Sequence, residues 1–177
     1  MRAMIPAQDG QTTSPGPDKQ DKIKGKKVNR RLSQQCPLQI LLVDDNAVNV
    51  TVGKRILELF GYKSITSAND GQQAIEKAEG QQYDLILLDL QMPVLDGYTA
   101  QERIKASPLA GDPCIVALTA NADKETEQAC VQAGFYGYMS KPLDIPRLEK
   151  ILGEVYAFRR ERDLNKAEPE DKVEKIK

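Results

Sequence analysis

The amino-acid sequence predicts a doubly wound α/β domain, in which a five-stranded parallel sheet carries five helices. Short uninterrupted apolar runs alternate along the chain with segments of helical periodicity. Such runs are too short to be buried helices, and their composition is typical of buried parallel strands. Because each strand-to-strand crossover is right-handed and restores the strand direction, the helices must cover both faces of the sheet.

The elements follow one another from residue 40 to residue 158. The strands are predicted at residues 40–43, 64–68, 85–88, 114–118 and 136–140. The helices are predicted at residues 47–60, 71–79, 98–106, 123–133 and 146–158. We expect Asp45 or Asn46 to cap the first helix, Gly61 to end it, and Asp144 to cap the last helix.

Composition divides the chain into three parts. Residues 1–36 are predicted to be a basic disordered leader, because their first 35 residues hold eight Lys or Arg, three Asp or Glu, and few apolar side chains to offset ordering entropy. Residues 37–158, with ten basic and seventeen acidic residues, are predicted to be the folded domain. Residues 159–177 mix charges with few apolar positions, which predicts a charged C-terminal tail.

Missing residue types exclude several functions. The sequence has no histidine, which removes the usual zinc ligands, the Ser-His and Cys-His catalytic pairs, and any phosphohistidine on this chain. Cys36, Cys114 and Cys130 form no CxxC pair. Nothing in the leader is apolar enough for secretion or membrane spanning, so we expect a cytoplasmic protein without a membrane partner. The basic run Lys22–Arg31 leaves a nuclear address open, but such runs are usually solvated tails, and we do not expect nucleic acid among the partners.

Three carboxylates follow apolar strands at one predicted edge of the sheet. Asp44 and Asp45 come directly after the first strand, and Asp89 comes directly after the third. Doubly wound folds bind ligands at this edge, where the carboxyl ends of the strands meet. Two like charges about 4 Å apart repel by roughly 4 kcal/mol at an effective dielectric near 20, so the cluster needs a cation. Oxygen ligands of this kind suit Mg²⁺, which commonly adds a phosphate oxygen.

Two other strand ends supply groups that suit a phosphoryl transfer. Thr119 offers a hydroxyl after the fourth strand, and Lys141 offers a positive charge after the fifth. A carboxylate can attack phosphorus in line while positive charge stabilises the equatorial oxygens, which makes Asp89 the natural nucleophile. Taken singly, each residue has an ordinary structural interpretation as a helix cap or a surface group. Their convergence favours the chemical interpretation.

Four motifs together resemble a known family. They are LLVDDN at residues 41–46, LLDLQMPVLDG at 87–97, ALTA at 117–120 and YMSKP at 138–142. Through them the sequence from Leu38 to Phe158 resembles the receiver domain of two-component response regulators. The resemblance implies the flavodoxin-like (βα)5 receiver fold and a cis peptide at Lys141–Pro142.

The resemblance also implies roles for the residues at the strand ends. Asp45, Asp89 and the backbone carbonyl of Gln91 would coordinate Mg²⁺ directly, and Asp44 would act through water. Asp89 would accept a phosphoryl group from the phosphohistidine of a histidine kinase or histidine phosphotransfer protein. Switch roles would fall to two further residues: Thr119 would shift and Tyr138 would turn inward. These movements would change the surface of the fourth helix, fifth strand and fifth helix, while Lys141 pairs with the phosphoryl group.

The motif variants DDNAVN, MPVLDGY, ALTANA and GYMSKPLD resemble receivers attached to hybrid histidine kinases, so a parent hybrid kinase is expected. Such a domain is not an enzyme but a phosphoacceptor that assists its own phosphorylation and dephosphorylation. A phosphatase of the haloacid dehalogenase type is excluded, because Gln91 stands where that family needs a second acid. The alternative left open is a receiver-like interaction module that works without phosphorylation.

The first helix carries two apolar stripes. We expect one of them to face the core, namely Val48, Val52, Ile56 and Phe60. Val50 and Leu57 fall on nearly the opposite side, where they would form a docking surface for a phosphotransfer helix bundle. The other interpretation is that the leader or a neighbouring loop covers them.

Overall fold

The computed structural model describes residues 22–23 and 26–167. Its central sheet has five strands: β1 (Ile40–Val43), β2 (Ile65–Ala68), β3 (Leu85–Asp89), β4 (Cys114–Thr119) and β5 (Gly137–Ser140). The five long helices of the described residues are α1 (Ala47–Leu59), α2 (Gly71–Gly80), α3 (Gly97–Ala106), α4 (Lys124–Gln132) and α5 (Ile145–Ala167). None of these helices combines the length and apolar character that crossing a bilayer requires.

The sheet is parallel throughout, with strand order β2-β1-β3-β4-β5. This is the flavodoxin-like order, in which the chain reverses its direction of travel between β1 and β3. The predicted doubly wound fold is therefore confirmed. The reversal places the ends of β1 and β3 side by side, which brings the polar residues after these two strands together.

Alternate residues along each strand pack into two separate core layers. The layer shared with α1 and α5 includes Ile40, Leu42, Leu85 and Leu87. The layer shared with α2, α3 and α4 includes Leu41, Val43, Ile86 and Leu88. Burying a Leu or Ile side chain contributes about 1.5–3 kcal/mol, so both layers hold the strand ends firmly in place.

Side-chain caps fix where the helices begin at the carboxyl edge of the sheet. Asn46 caps α1 by accepting from the amide of Val48 at 2.9 Å, and Asp144 accepts from the amide of Arg147 at 2.9 Å at the start of α5. Gly61, with φ +93°, follows the end of α1 as expected. The capping predictions from the sequence are confirmed at these positions.

The segment just before the sheet differs from the expected disordered leader. Residues Leu32–Gln35 form a helical turn, and Leu32 is buried in the core layer of α1 and α5. The amide of Ser33 donates to the carbonyl of Phe60 at 3.0 Å, and the hydroxyl of Tyr62 donates to the carbonyl of Cys36 at 2.7 Å. The prediction of disorder is therefore wrong for this segment, while residues 1–21 and 24–25 lie outside the described residues.

The last helix is longer than predicted, because it continues nine residues beyond Phe158 to Ala167. Its extension contacts the amino edge of the sheet through ion pairs of 2.9–3.0 Å. We call these residues the amino-edge cluster: Asp84, Lys105, Asp112, Arg159 and Arg162. The prediction of a tail from residue 159 is wrong up to residue 167, and residues 168–177 lie outside the described part of the chain.

The arrangement of the two stripes of α1 differs in part from the expected one: Phe60 is buried and Ile56 packs against the core as predicted, but the other four residues are not placed as expected. Val50 and Leu57 are buried, whereas Val48 is 67% exposed and Val52 is 44% exposed. Gly53 lies on the buried side, where an added Cβ would approach a methyl group of Leu42 to 2.7 Å. The stripe with the glycine therefore faces the sheet, and the prediction of an exposed Val50 and Leu57 is wrong.

Candidate functional site

Three carboxylates meet at the carboxyl edge of β1 and β3. Oxygen atoms of Asp44, Asp45 and Asp89 all lie within 4.8 Å of one another. Asp44 and Asp89 are buried, whereas Asp45 is exposed to solvent. Since the third carboxylate faces outward, the cluster opens to ligands from solution on that side.

Asp44 is held in place by donors from the start of α1. Its Oδ1 accepts from the amide of Asn46 at 2.9 Å, and the side-chain amide of Asn49 donates to both carboxylate oxygens at 3.1 Å. The role of Asn49 was not predicted from the sequence. Its signal was a donor five residues after a strand-end aspartate, on the first turn of the following helix.

Lys141 supplies the positive charge within the cluster. Its Nζ lies 3.2 Å from Asp44 Oδ2 and 3.0 Å from Asp89 Oδ2. Asp89 Oδ1 accepts from the amide of Gln91 at 3.1 Å, but its buried Oδ2 receives no well-directed hydrogen bond from the described residues. We call Asp44, Asp45, Asp89 and Lys141 the carboxyl cluster, in which one base forms ion pairs with two of the three acids.

Burial and charge shift the protonation of this cluster. Burial raises the pKa of Asp89 above its usual value, against the effect of Lys141 and the Gln91 amide, and the neighbouring Asp44 carboxylate raises it further. Burial alone lowers the pKa of Lys141, but the nearby Asp89 and Asp44 carboxylates raise it above its ordinary value overall. Asp89 is therefore a carboxylate whose negative charge is incompletely compensated by the protein.

The remaining predicted site residues lie at or near the ends of β3, β4 and β5. Thr119 is buried at the end of β4, where its hydroxyl donates to the carbonyl of Asn121 at 2.9 Å. Tyr138 is half-buried on β5, and the side chain of Gln91 is exposed. The peptide bond between Lys141 and Pro142 is cis, as the sequence resemblance implied.

Gly97 makes a close backbone approach that the sequence analysis did not single out. A Cβ at Gly97 would overlap the carbonyl oxygen of Asp89 and lie 2.8 Å from the Cα of Leu90. Its amide also donates to the Leu90 carbonyl at 3.0 Å. The glycine therefore lets α3 begin directly against the residue that carries the candidate nucleophile.

The donor set fits Mg²⁺. It consists of oxygen atoms, one of them a buried carboxylate oxygen without a hydrogen bond, and its negative charge exceeds the charge of Lys141. Hard divalent cations prefer such ligands, and a cation would offset the repulsion among the acids. Asp44, Asp45 and Asp89 are the residues that would hold it.

Comparison with known proteins identifies the family. The profile of the response regulator receiver domain matches residues 40–153, so the chain belongs to this family of two-component signalling domains. The osmosensing histidine protein kinase SLN1 of Saccharomyces cerevisiae is 40% identical over 128 residues, which cover 70% of this chain and 10% of the kinase. The aerobic respiration control sensor protein ArcB of Escherichia coli is 39% identical over 116 residues, covering 65% of this chain and 15% of the sensor. The chain thus spans a small part of these relatives.

Solved structures agree with this assignment. The receiver domain of the Pseudomonas aeruginosa sensor histidine kinase PA1611, determined with a magnesium ion in its active-site cleft, is 43% identical with a TM-score of 0.62. The alignment covers 68% of this chain and 98% of that domain. The Vibrio cholerae chemotaxis protein CheY4 is 28% identical with a TM-score of 0.60, covering 66% of this chain and 97% of CheY4.

Proposed function

We propose that Asp89 accepts a phosphoryl group from the phosphohistidine of a partner histidine kinase or histidine phosphotransfer protein. The observation that carries this proposal is the carboxyl cluster, with a buried and incompletely compensated Asp89 beside Lys141. An oxygen of the Asp89 carboxylate attacks phosphorus, a P–O bond forms, and the P–N bond to the partner's histidine breaks. The relatives, which are histidine kinases, support the choice of donor.

The protein's own groups position and stabilise the transferring phosphoryl group. Lys141 already lies 3.0 Å from Asp89, so its ammonium neutralises charge that develops on the equatorial oxygens. Thr119 offers a hydroxyl from the neighbouring strand end. When bound by the three aspartates, Mg²⁺ supplies further positive charge to the phosphoryl oxygens. We assign Asp45, Asp89 and the Gln91 carbonyl as its direct ligands and Asp44 as a ligand that acts through water.

Phosphorylation changes the surface on the β4–β5 side of the domain. The hydroxyl of Thr119 is bonded within its own loop, so a phosphoryl group on Asp89 offers it a competing acceptor. We propose that Thr119 then shifts and Tyr138 turns inward, which alters the surface of α4, β5 and α5. Such a response is a population shift caused by a contact that only one state makes.

The test of the acceptor uses a small phosphodonor with Mg²⁺ and mass spectrometry of the intact chain. The wild-type chain is expected to gain one phosphoryl group, while Asp89→Asn gains none. Asp84→Asn is the matched control, because it removes an aspartate from the opposite edge of the same sheet and should still be labelled. Labelling of Asp89→Asn, or an unlabelled wild-type chain with intact fold, contradicts the proposal and favours a phosphorylation-independent interaction module.

The exposed apolar residues beside the carboxyl cluster favour docking of the donor there. Val48 and Val52 lie exposed on α1, and Val94 is 99% exposed in the loop between β3 and α3. Both segments start from strand ends that carry the acids. A helical donor that brings its histidine to Asp89 would bury these side chains, which water now contacts.

Donor docking is tested by comparing two phosphate sources. Val48→Ser is expected to slow transfer from a phosphorylated histidine phosphotransfer protein about tenfold, the effect of roughly 1.4 kcal/mol, and to leave labelling by a small phosphodonor unchanged. Val131→Ser is the control, because Val131 is 69% exposed on α4, which follows β4 and not a strand whose end carries an aspartate of the carboxyl cluster. Equal rates for both variants with the protein donor would rule out this docking surface.

A further inference from the structure

Arg147 fastens the beginning of α5 to Tyr138 on β5. Its guanidinium carbon lies 5.1 Å from the centroid of the Tyr138 ring. Its Nη2 also donates to the backbone carbonyl of Tyr138 at 2.8 Å. The backbone amide of Arg147 is itself fixed, because it donates to the capping carboxylate of Asp144 at 2.9 Å. Hydrogen bonds therefore hold both the backbone amide and the guanidinium of Arg147 in place next to Tyr138.

The Tyr138 ring has a different environment on each side. It is half-buried and packs against the core layer of α2, α3 and α4, while the guanidinium lies over its face. A ring that turns away from this position leaves the guanidinium, because the hydrogen bond from Nη2 holds the guanidinium to the backbone carbonyl of Tyr138 and not to its ring. The cation–π contact is thus made in one ring orientation and lost in another. A contact made in one state only shifts the balance between the two states.

We propose that Arg147 is a positioning residue that holds Tyr138 in its half-buried orientation, so that phosphorylation of Asp89 has to displace the ring from the guanidinium. This inference rests on the proposed phosphoacceptor function. The structure that shows the contact also has the Thr119 hydroxyl bonded within its own loop. Arg147 then sets how readily the domain switches without touching the phosphoryl group.

The size of the effect follows from the type of contact. Cation–π contacts at exposed positions change a two-state population about two- to fivefold. Arginine suits the position because its planar guanidinium can stack on a ring while donating sideways to a carbonyl. A lysine keeps the charge but not this geometry, so Arg147→Lys should lose part of the effect, and Arg147→Gln should lose all of it.

The experiment measures ring populations and phosphoryl-analogue binding in the same proteins. Each variant is labelled with 3-fluorotyrosine, and the Tyr138 signal is assigned by its loss in Tyr138→Phe. Relaxation dispersion of ¹⁹F then gives the population of the minor ring orientation. Titration with beryllofluoride in the presence of Mg²⁺ gives the apparent affinity of each variant for this phosphoryl analogue. Lys150→Gln is the control, since Lys150 is an exposed cation on the same helix, paired with Glu154 at 3.5 Å.

Arg147→Gln is expected to raise the minor population two- to fivefold and to tighten beryllofluoride binding by a similar factor, with Arg147→Lys in between and Lys150→Gln unchanged. The inference is overturned if Arg147→Gln and Lys150→Gln behave alike. No change in either variant means that the guanidinium does not hold the ring, and the same gain in both means that the loss of a positive charge alone is responsible. If the wild-type protein binds no beryllofluoride, the proposed function fails. The ring populations without beryllofluoride still decide the role of Arg147.

Discussion

The two edges of the sheet both hold aspartates, but they balance charge in opposite ways. At the carboxyl edge, three acids share one lysine, and the buried Asp89 Oδ2 has no hydrogen bond from the described residues. At the amino edge, the two acids of the amino-edge cluster meet three bases. The buried atom without a hydrogen bond in that cluster is Arg159 Nε, a donor on a side chain whose other nitrogens have partners. The carboxyl edge keeps an excess of negative charge that is compatible with a bound cation, whereas the bases at the amino edge offset the charge of its acids.

The direction of the pKa shifts follows this difference. Burial raises the pKa of Asp89, whereas the hydrogen bond from Lys105 lowers the pKa of Asp112, helped by the charges of Arg162 and Arg159. The same side chain thus has opposite protonation behaviour at the two edges. An aspartate at a strand end is therefore informative only together with its counter-charges.

Adding a methyl group at each edge is expected to give the largest difference in stability between the two edges. Gly97→Ala forces a Cβ into the Asp89 carbonyl and the Leu90 backbone, because backbone atoms cannot rotate away. We expect a loss of about 1–3 kcal/mol in the free energy of unfolding, together with weaker Mg²⁺ binding. Urea unfolding with and without Mg²⁺ measures both effects.

Gly80→Ala is the matched change at the amino edge. No heavy atom other than those of the neighbouring residues and backbone of its own helix lies within 4 Å of the Cβ that it adds at the end of α2, so the free energy of unfolding should stay constant or rise slightly. A Gly97→Ala protein as stable as Gly80→Ala, with normal Mg²⁺ binding, would show that the close approach does not constrain the site.

Much of the fold could be predicted because it depends on local signals. Uninterrupted apolar runs located the strands, and short polar residues before periodic segments located the caps, such as Asn46 and Asp144. The assignment of the core-facing stripe of α1 was right for Ile56 and Phe60 but wrong for Val48 and Val52, because both stripes fit a helical period. The deciding feature was Gly53, since the residue type that permits close packing marks the side facing the sheet.

The carboxyl cluster was predictable and the amino-edge cluster was not, for a physical reason. The acids of the carboxyl cluster directly follow apolar strands, so strand direction alone brings them together. The partners of Asp112 come from α3 and from the extension of α5, and Arg162 lies 50 residues away in sequence. Mixed charges were interpreted as a tail because their pairing depends on tertiary contacts. The support given by Asn49 was missed for the same reason.

Replacing one acid at each edge is expected to change stability in opposite directions. Asp89→Asn removes a buried charge from a crowded site. When a metal chelator is present, we therefore expect the free energy of unfolding to rise by on the order of 1 kcal/mol at neutral pH. Asp112→Asn removes a carboxylate that forms ion pairs with Lys105 and Arg162, and we expect a loss of only about 0.5–1 kcal/mol because the group is largely exposed. Urea midpoints compare the two variants.

The pH dependence of stability is expected to separate the two variants further, because folding raises the pKa of Asp89 and lowers the pKa of Asp112. A pKa raised by folding means that stability falls as pH rises above the unfolded value near 3.9, so the advantage of Asp89→Asn should grow from about pH 4 upward. A lowered pKa means that the contribution of Asp112 is complete above about pH 4 and disappears as the pH falls, so the deficit of Asp112→Asn should vanish in acid. Parallel pH profiles for the two variants would contradict the contrast between the edges.

The smallest expected effect concerns the amino edge alone. Arg159→Gln removes the ion pair to Asp84 at 3.0 Å and the hydrogen bond to the Asp112 carbonyl at 3.2 Å. Since these contacts hold the extension of α5, amide hydrogen exchange in residues 159–167 should become about two- to fivefold faster, the effect of about 0.5–1 kcal/mol. Lys166→Gln removes a charge from the same segment without touching the cluster and should leave exchange unchanged. Labelling of Asp89 should be the same in both variants, because charge at this edge stabilises the helix and does not take part in the transfer.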